Sequence, residues 1–463
     1  MQTYNSDWLA SSPVFYNEKT GKVSENVNDV IDFRNLEFDP EGFNNYLDFG
    51  YSVFQQTPVR HVKFLRHSSR LHADGLGQIT IEHLDDPSEQ LLARERAEEE
   101  VLDLLRDRVR QWESKVEGAV VVPTSGGYDS RLLNVMIMDR SRVQSFSYGL
   151  SDDPSCSIEV VYAKKVAEIL GTRWEQIELG QFHQHLDEWD GLFGCSAHQH
   201  GMYHIEFYRR ICERIGEGGA VLSGLIGDAW AGNVMLAPVR SADQVSLLGY
   251  SHGAAADSRW SRLKSDRRLL KIYFDENREK LGDPRWCIIE AMRFKLILLS
   301  YLVRIPRSLG FGVYAPFLDI DIALGMLNLP EQRRRKRQWQ RDFFRKHGLA
   351  VEEMRLPVDI DNTLNKRAVQ RVPLRPLDRR LLAEVVEPSY VDWVNRCVGR
   401  SEITVTLLEG SRCWFNRLFR IPKVGGLMWK VGLRDQDDPF NVYYYAYLTL
   451  RSIESLLIRR NKA

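Results

Sequence analysis

Long apolar runs are missing from this chain. No uninterrupted stretch approaches the ~18–20 residues that a membrane-spanning helix needs, so no membrane span is expected. A cysteine framework is missing too. Cys156, Cys195, Cys212, Cys287, Cys397 and Cys413 are scattered, with no CxxC pair. That excludes a disulfide scaffold or a structural zinc site and fits a reducing cytoplasm. An excess of charge of one sign is also absent, because 63 basic residues meet 63 acidic ones. Nothing global then attracts nucleic acid or an anionic membrane, and any anion site has to be local. The opening MQTYNSDWLASS lacks both the basic segment and the apolar core of a secretory signal, so a cytoplasmic protein is expected. Internal repeats and low-complexity tracts are lacking as well.

What is present is ordinary folded-protein material: 43% hydrophobic and 27% charged residues over 463 positions. Residues 1 to about 90 read as short strands and turns, with β-rich runs at His61–Leu65 and Gln78–Glu82 around Asp74-Gly75-Leu76-Gly77. So short and polar a piece has to pack on the rest of the chain. From Ala93 a helix is expected, since Ala97, Val101, Leu105, Val109, Trp112 and Val116 recur every three or four residues up to Gly118. Strand and helix patterns then alternate. Strand-like runs lie at Ala119–Val122, Val143–Tyr148, Trp174–Leu179 and Ala220–Leu222, and helical ones at Ile158–Leu170, Phe182–Leu192 and Met202–Ile215. That alternation predicts an α/β fold with a parallel sheet covered by helices on both faces. After Leu225 the pattern turns helical, around Trp286–Leu302, Asp321–Leu327, Gln332–Lys346, Leu377–Val386 and Tyr443–Arg459.

Between the first of these strands and its helix lies Ser125-Gly126-Gly127-Tyr128-Asp129-Ser130. Two glycines let the backbone come close to a ligand. Successive N–H groups then face one concavity, and the helix beyond adds its positive end. The hydroxyls of Ser125 and Ser130 can donate to phosphate oxygens, and Asp129 is placed to hold Mg²⁺. The turn is not a Walker A loop, because the Gly-Lys-Ser/Thr ending is absent. It reads as a pyrophosphate site.

This hexapeptide, Phe146–Leu150, Ser223-Gly224-Leu225-Ile226-Gly227-Asp228 and Ala315–Asp319 come in an order and spacing that resembles the asparagine synthetase family over about residues 93–350. The resemblance implies an ATP-pyrophosphatase (PP-loop, adenine nucleotide alpha hydrolase-like) domain over 93–463, its part from 319 mostly helical. Before it, residues 1–92 would be the small β-rich remnant of a glutaminase-like domain without its cysteine. It further implies an ATP- and Mg²⁺-dependent amide-forming ligase, which activates a carboxylate as an acyl-adenylate and passes it to ammonia or an amine. The carboxylate would belong to a small molecule, peptide or sugar in natural-product or polysaccharide biosynthesis, and a separate subunit could supply the ammonia. By position, Asp129 and Asp228 would be the Mg²⁺ ligands and, with Arg304, the catalytic residues. Ser125, Gly126, Gly127, Tyr128, Ser130, Tyr148, Ser223, Gly224, Arg337 and Arg341 would hold the nucleotide, and His198, His200 and Leu225 would line the substrate pocket.

The pattern also breaks. Position 2 is Gln2, so no glutamine hydrolysis is expected. Leu225 and Ala229 stand where the family has glutamates, Val303 stands beside Arg304 at an acidic position, and Arg355-Leu356-Pro357 lacks the phosphate-binding lysine. The alternative reading is therefore a catalytically degenerate nucleotide-binding subunit that supports a partner enzyme. Elsewhere, His200 and His204 sit one helical turn apart, which can chelate a metal but suits a structural role better. Arg337 and Arg341 would share one face of a helix over 332–346. Trp393, Trp414, Trp429, Tyr443, Tyr444 and Tyr445 read as packing residues rather than a sugar platform.

Overall fold

The computed structural model describes residues 2–92, 95–216, 218–249, 255–399 and 439–463. Ala93, where the first long helix was expected to begin, lies outside the described residues, as do Cys413, Trp414 and Trp429. Among the described residues, eleven strands run in chain order: β1 (Gln2–Ser6), β2 (Phe15–Asn17), β3 (Val23–Ser24), β4 (Val62–Phe64), β5 (Ser69–Ala73), β6 (Ile79–His83), β7 (Val120–Pro123), β8 (Val143–Ser147), β9 (Arg173–Gln176), β10 (Ala220–Leu222) and β11 (Gly312–Tyr314). The first six form two small antiparallel sheets, ordered β1-β5-β6 and β3-β2-β4. The last five form one parallel sheet in the order β11-β10-β7-β8-β9. The chain is thus a mixed α/β protein with a parallel five-stranded sheet and many helices.

The parallel sheet forms where the sequence is most apolar. Val120, Val121, Val122, Val221 and Leu222 are fully buried, as strands covered on both faces require. Numbered by their own order, the five strands run 3-2-1-4-5. The chain builds outward from β7 through β8 to β9, then returns to the other side of β7 to add β10 and β11. In doubly wound sheets the crevice at the carboxyl ends of the two strands flanking such a reversal is where ligands bind. Here those strands are β7 and β10.

Helices fill the connections. Glu98–Glu113 buries Val101, Leu105 and Val109, and three glutamates in its first turn face the positive end of the helix dipole. One apolar core runs from Trp8 in the N-terminal layer, through the parallel sheet, to Leu457 in the terminal helix Pro439–Lys462. Trp8 joins the layers directly: its ring lies 5.7 Å from that of Trp230, and its Nε1 donates to Leu318 O at 2.9 Å.

Several elements differ from expectation. The helix expected over 332–346 is three pieces, Glu331–Arg334, a tight turn at Arg335–Arg337 and Gln338–Lys346, because Lys336 and Arg337 both take positive φ (55°). Leu377–Val386 is helical only over Arg379–Leu382. Trp286–Leu302 divides at Ser300 into Pro284–Leu299 and Tyr301–Ser308. Strand β11 carried no readable signal, since its three residues sit between Gly310 and Pro316 and are held by pairing with β10. The helix Pro40–Phe49 was missed as well, although Asp39 accepts from Gly42 N at its start and Gly50 ends it at φ 77°.

Candidate anion site at the sheet switch point

The turn after β7 is shaped by contacts as much as by its glycines. Gly126 has φ 68°, and a Cβ there would lie 2.4 Å from Tyr162 Cβ and 2.9 Å from Ala163 N. No other residue fits. Gly127 precedes the helix Tyr128–Met136, whose first-turn N–H groups have no carbonyl behind them within the helix. Beneath the turn, Asn134 Nδ2 donates to Thr124 Oγ1 at 3.0 Å and to Ser130 O at 2.8 Å. Ser130 Oγ is buried inside the turn, 3.4 Å from both Ser125 N and Gly127 O.

Arg131 holds this turn from behind. It is 1% exposed, donates to Gly126 O at 2.6 Å and Leu349 O at 2.8 Å, and pairs with Glu352 at 2.7 Å. Its guanidinium also lies over the rings of Tyr128 and Phe344, at 5.0 and 4.9 Å. Glu352 in turn accepts from Tyr128 Oη at 2.6 Å. The sequence pattern did not single out Arg131 or Glu352, because their link spans more than two hundred residues.

The turn after β10 closes the other side. A Cβ on Gly224 would stand 3.3 Å from Asp129 Cβ, and one on Gly227 would stand 2.9 Å from Asp129 Cγ and 2.8 Å from the Phe317 ring. Ile226 turns through φ 56° to start the short helix Gly227–Ala231, which carries Asp228. Asp129 and Asp228 are therefore neighbours, as expected of them. Burial first, and then the charge of Asp228, push the Asp129 carboxyl up to about 7, against the pull of Arg337 and of the Asp228 N–H. Asp228 Oδ2 accepts from Asn233 Nδ2 at 3.1 Å. Lys295, which the sequence pattern did not mark, sits close enough to Asp228 to feel its charge; burial lowers the Lys295 ammonium and that carboxylate partly restores it.

A cleft of about 780 Å³ opens in front of the turn. Ser125, Gly126, Gly127 and Tyr128 form one wall, and Arg335, Lys336, Arg337 and Arg341 form another. Arg337 lies 4.5 Å over the Tyr128 ring and 3.9 Å from Asp129 Oδ1. Two arginines of the basic run are committed elsewhere: Arg333 pairs with Glu98 and Asp342, and Arg334 is buried with its Nε on Leu329 O. Arg337 and Arg341 do not share a helix face, since Arg337 caps the helix that holds Arg341. They meet at the cleft nonetheless.

The remaining predicted residues lie apart from this cleft. Ser223 Oγ accepts from Leu225 N inside its own turn, and Leu225 is buried. Tyr148 packs against Tyr203, His204 and Phe207, and its hydroxyl joins a chain with those of Tyr203 and Tyr301. Arg304 donates to Leu192 O at 2.7 Å and lies over the Phe193 ring, clamping that helix end rather than facing the cleft. His198 stacks on His200 at 5.9 Å and lies 3.4 Å from Thr449 Oγ1. His200 belongs to a tight turn at Gln199–Gly201 and His204 to the helix Tyr203–Ile215, so they do not chelate along one helix. Among the described residues, no group of three or more His, Cys, Asp or Glu could hold a metal ion.

His204 and His183 are buried neutral bases. Burial pulls His204 down to about 3, and burial offset by backbone hydrogen bonds pulls His183 down to about 4. The unfolded chain thus binds more protons than the folded one below about pH 6.5. Stability is expected to fall by about 1 kcal/mol per pH unit for each of them between pH 6.5 and 5. Urea midpoints across that range check it, and His204→Phe should flatten the slope.

One family model matches the chain: the polyphenol oxidase middle domain, over residues 2–45. No curated protein matches. The match corrects the asparagine synthetase assignment. The amide-forming, AMP-producing ligase activity, the nucleotide-binding alternative and the ATP and Mg²⁺ cofactors fall with it. The physical reason is that the quoted segments are turns at strand ends, which a doubly wound sheet requires whatever it binds. The matched stretch covers β1 to β3 and most of the helix Pro40–Phe49, and ends well before the parallel sheet. It contains no histidine and no cysteine, so it offers no imidazole or thiolate donor for a redox metal.

Proposed function

We propose that the cleft at the switch point binds the phosphate or pyrophosphate group of a small-molecule ligand, with the turn Ser125–Ser130 as its cradle. One observation carries this reading: a helix start with open N–H groups faces Lys336, Arg337 and Arg341 across a cleft at the β7/β10 reversal. Oriented N–H donors and a guanidinium fork are the two devices that hold phosphate oxygens. Strain supports it as well. Lys336 and Arg337 hold left-handed backbone at a cost of about 1–3 kcal/mol each, and the result is a guanidinium pinned over Tyr128 in front of the turn. In this reading the finer fold is a phosphate-binding doubly wound domain, and the partner is a small molecule rather than nucleic acid. Cys156, Cys195 and Cys287 are free thiols, which supports a reducing, cytoplasmic setting.

Titration calorimetry and ³¹P NMR with inorganic pyrophosphate test the proposal. Binding should weaken steeply as salt rises, and Arg337→Ala should weaken it about tenfold, the loss of one charge-assisted hydrogen bond. Pyrophosphate affinity that Arg337→Ala and Arg341→Ala leave unchanged would show that the anion does not sit here.

A further inference from the structure

A second cavity, of about 80 Å³, lies between the N-terminal layer and the helices Arg268–Asn277 and Pro284–Leu299. It is remote in sequence from the switch-point cleft and shares no lining residue with it. Three of its lining residues, Ala10, Phe54 and Gln55, hold left-handed backbone with φ between 53° and 55°. Non-glycine residues keep such angles only where surrounding structure imposes them, and they gather at ligand sites.

Its polar lining is incomplete. Arg66 Nε and His67 Nδ1 are both buried and have no hydrogen-bond partner. Among the described residues, no carboxylate lies within ion-pair distance of the Arg66 guanidinium. Buried donors left open in this way are rare in folded proteins and call for an acceptor. The carboxylates nearby are otherwise engaged or outlying: Glu290 pairs with Arg293 at 2.8 Å and accepts from the Tyr273 hydroxyl, and Glu276 lies exposed at the rim. His67 is held neutral by burial and by Arg293, so its Nδ1 can carry a hydrogen without adding charge. The rest of the wall is aromatic, with Phe64 beside Phe54 and Phe294, whose rings lie 5.1 Å apart.

We propose that this cavity is a binding site for a small carboxylate with a short apolar or aromatic body. The carboxylate accepts from Arg66 and from His67 Nδ1, and the body packs on Phe54, Phe64 and Phe294. The proposal does not depend on the switch-point reading.

Calorimetry on the full chain with butyrate, benzoate and the neutral butyramide tests it. Both carboxylates should bind, butyramide should bind at least about tenfold more weakly, and Arg66→Met should weaken the carboxylates by a similar factor. Equal binding of butyramide, unchanged binding by Arg66→Met, or no binding of either carboxylate at tens of millimolar would overturn it. Should Arg66→Met not fold, the wild-type protein decides: nuclear Overhauser contacts from bound benzoate to the Phe54 or Phe294 ring protons are expected, and their absence overturns the proposal. Inorganic pyrophosphate should not displace benzoate; displacement would place the carboxylate in the switch-point cleft instead.

Discussion

Arg131→Met is expected to cost about 3–5 kcal/mol of stability and to abolish pyrophosphate binding together. The substitution keeps most of the apolar stem but strands three acceptors: Gly126 O, Leu349 O and Glu352. Glu352 is half-buried at the cleft, so the size of the loss comes chiefly from the two carbonyls left without a donor, at about 1–3 kcal/mol each, and from the lost guanidinium packing on Tyr128 and Phe344. The proposed phosphate cradle should share its fate, because the carbonyl of Gly126 is a point by which the turn is tied down. Urea denaturation and calorimetry on one preparation check both halves. Arg131→Lys should recover less than half of the stability, since an ammonium cannot serve two carbonyls and a carboxylate in the planar geometry of a guanidinium. A variant that loses stability and still binds pyrophosphate as wild type would show that the turn holds its shape without this anchor.

The second large effect is expected at Arg293. It joins Asp86 at 2.7 Å, Glu290 at 2.8 Å and Trp8 O at 3.0 Å, with its side chain 6% exposed. Arg293→Met should cost about 3–5 kcal/mol and loosen the N-terminal layer first, because Trp8 and Asp86 belong to that layer. Its pH dependence is distinctive. Burial would raise the Asp86 and Glu290 carboxyls, but the Arg293 charge outweighs it and holds both below the usual carboxylate range. In the wild type they contribute stability that is full above about pH 4.3 and is lost as acid protonates the folded pair. Without Arg293, burial, the largest influence on both carboxyls, is opposed only by His67 and by the hydrogen bonds from Ser88 and Tyr273, and the folded pKa values are expected to rise above the unfolded ones. The folded variant then binds the extra protons, and its deficit against wild type should narrow as the pH falls from 7 to 5. A deficit that is constant or widens over that range would show that another cation has taken over the pair.

The pieces of the switch-point site were unequally visible in the sequence. Ser125–Ser130 was legible because glycine geometry and helix starts are local matters, decided within a few residues. Asp228 was named only by the resemblance, and the structure places it close enough to Asp129 to raise that carboxyl. Arg337 and Arg341 were marked on the assumption of one continuous helix, which the left-handed pair at 336 and 337 breaks. They still reach the cleft, because the break turns Arg337 toward Tyr128. Arg304, Tyr148, His198 and His200 were named by resemblance, and each is engaged elsewhere in the fold. Nothing local distinguished them from residues of the cleft. Lys295 and Arg131 were passed over because a buried cation inside an apolar helix pattern carries no period of its own.

By itself, then, the sequence determined the alternation of strand and helix, the parallel character of the central sheet and the turn at its first strand. Each of these comes from apolar periodicity or from backbone angles that only certain residues adopt. Only the tertiary structure decided the 3-2-1-4-5 strand order, and with it which turn faces which. It also decided that Arg131 should reach Leu349 and Glu352, and that Arg66 and His67 should line a cavity beneath the N-terminal layer. The reason is that periodicity tells a strand which face to bury, not which neighbour to pair with; that choice belongs to the packing of the whole chain.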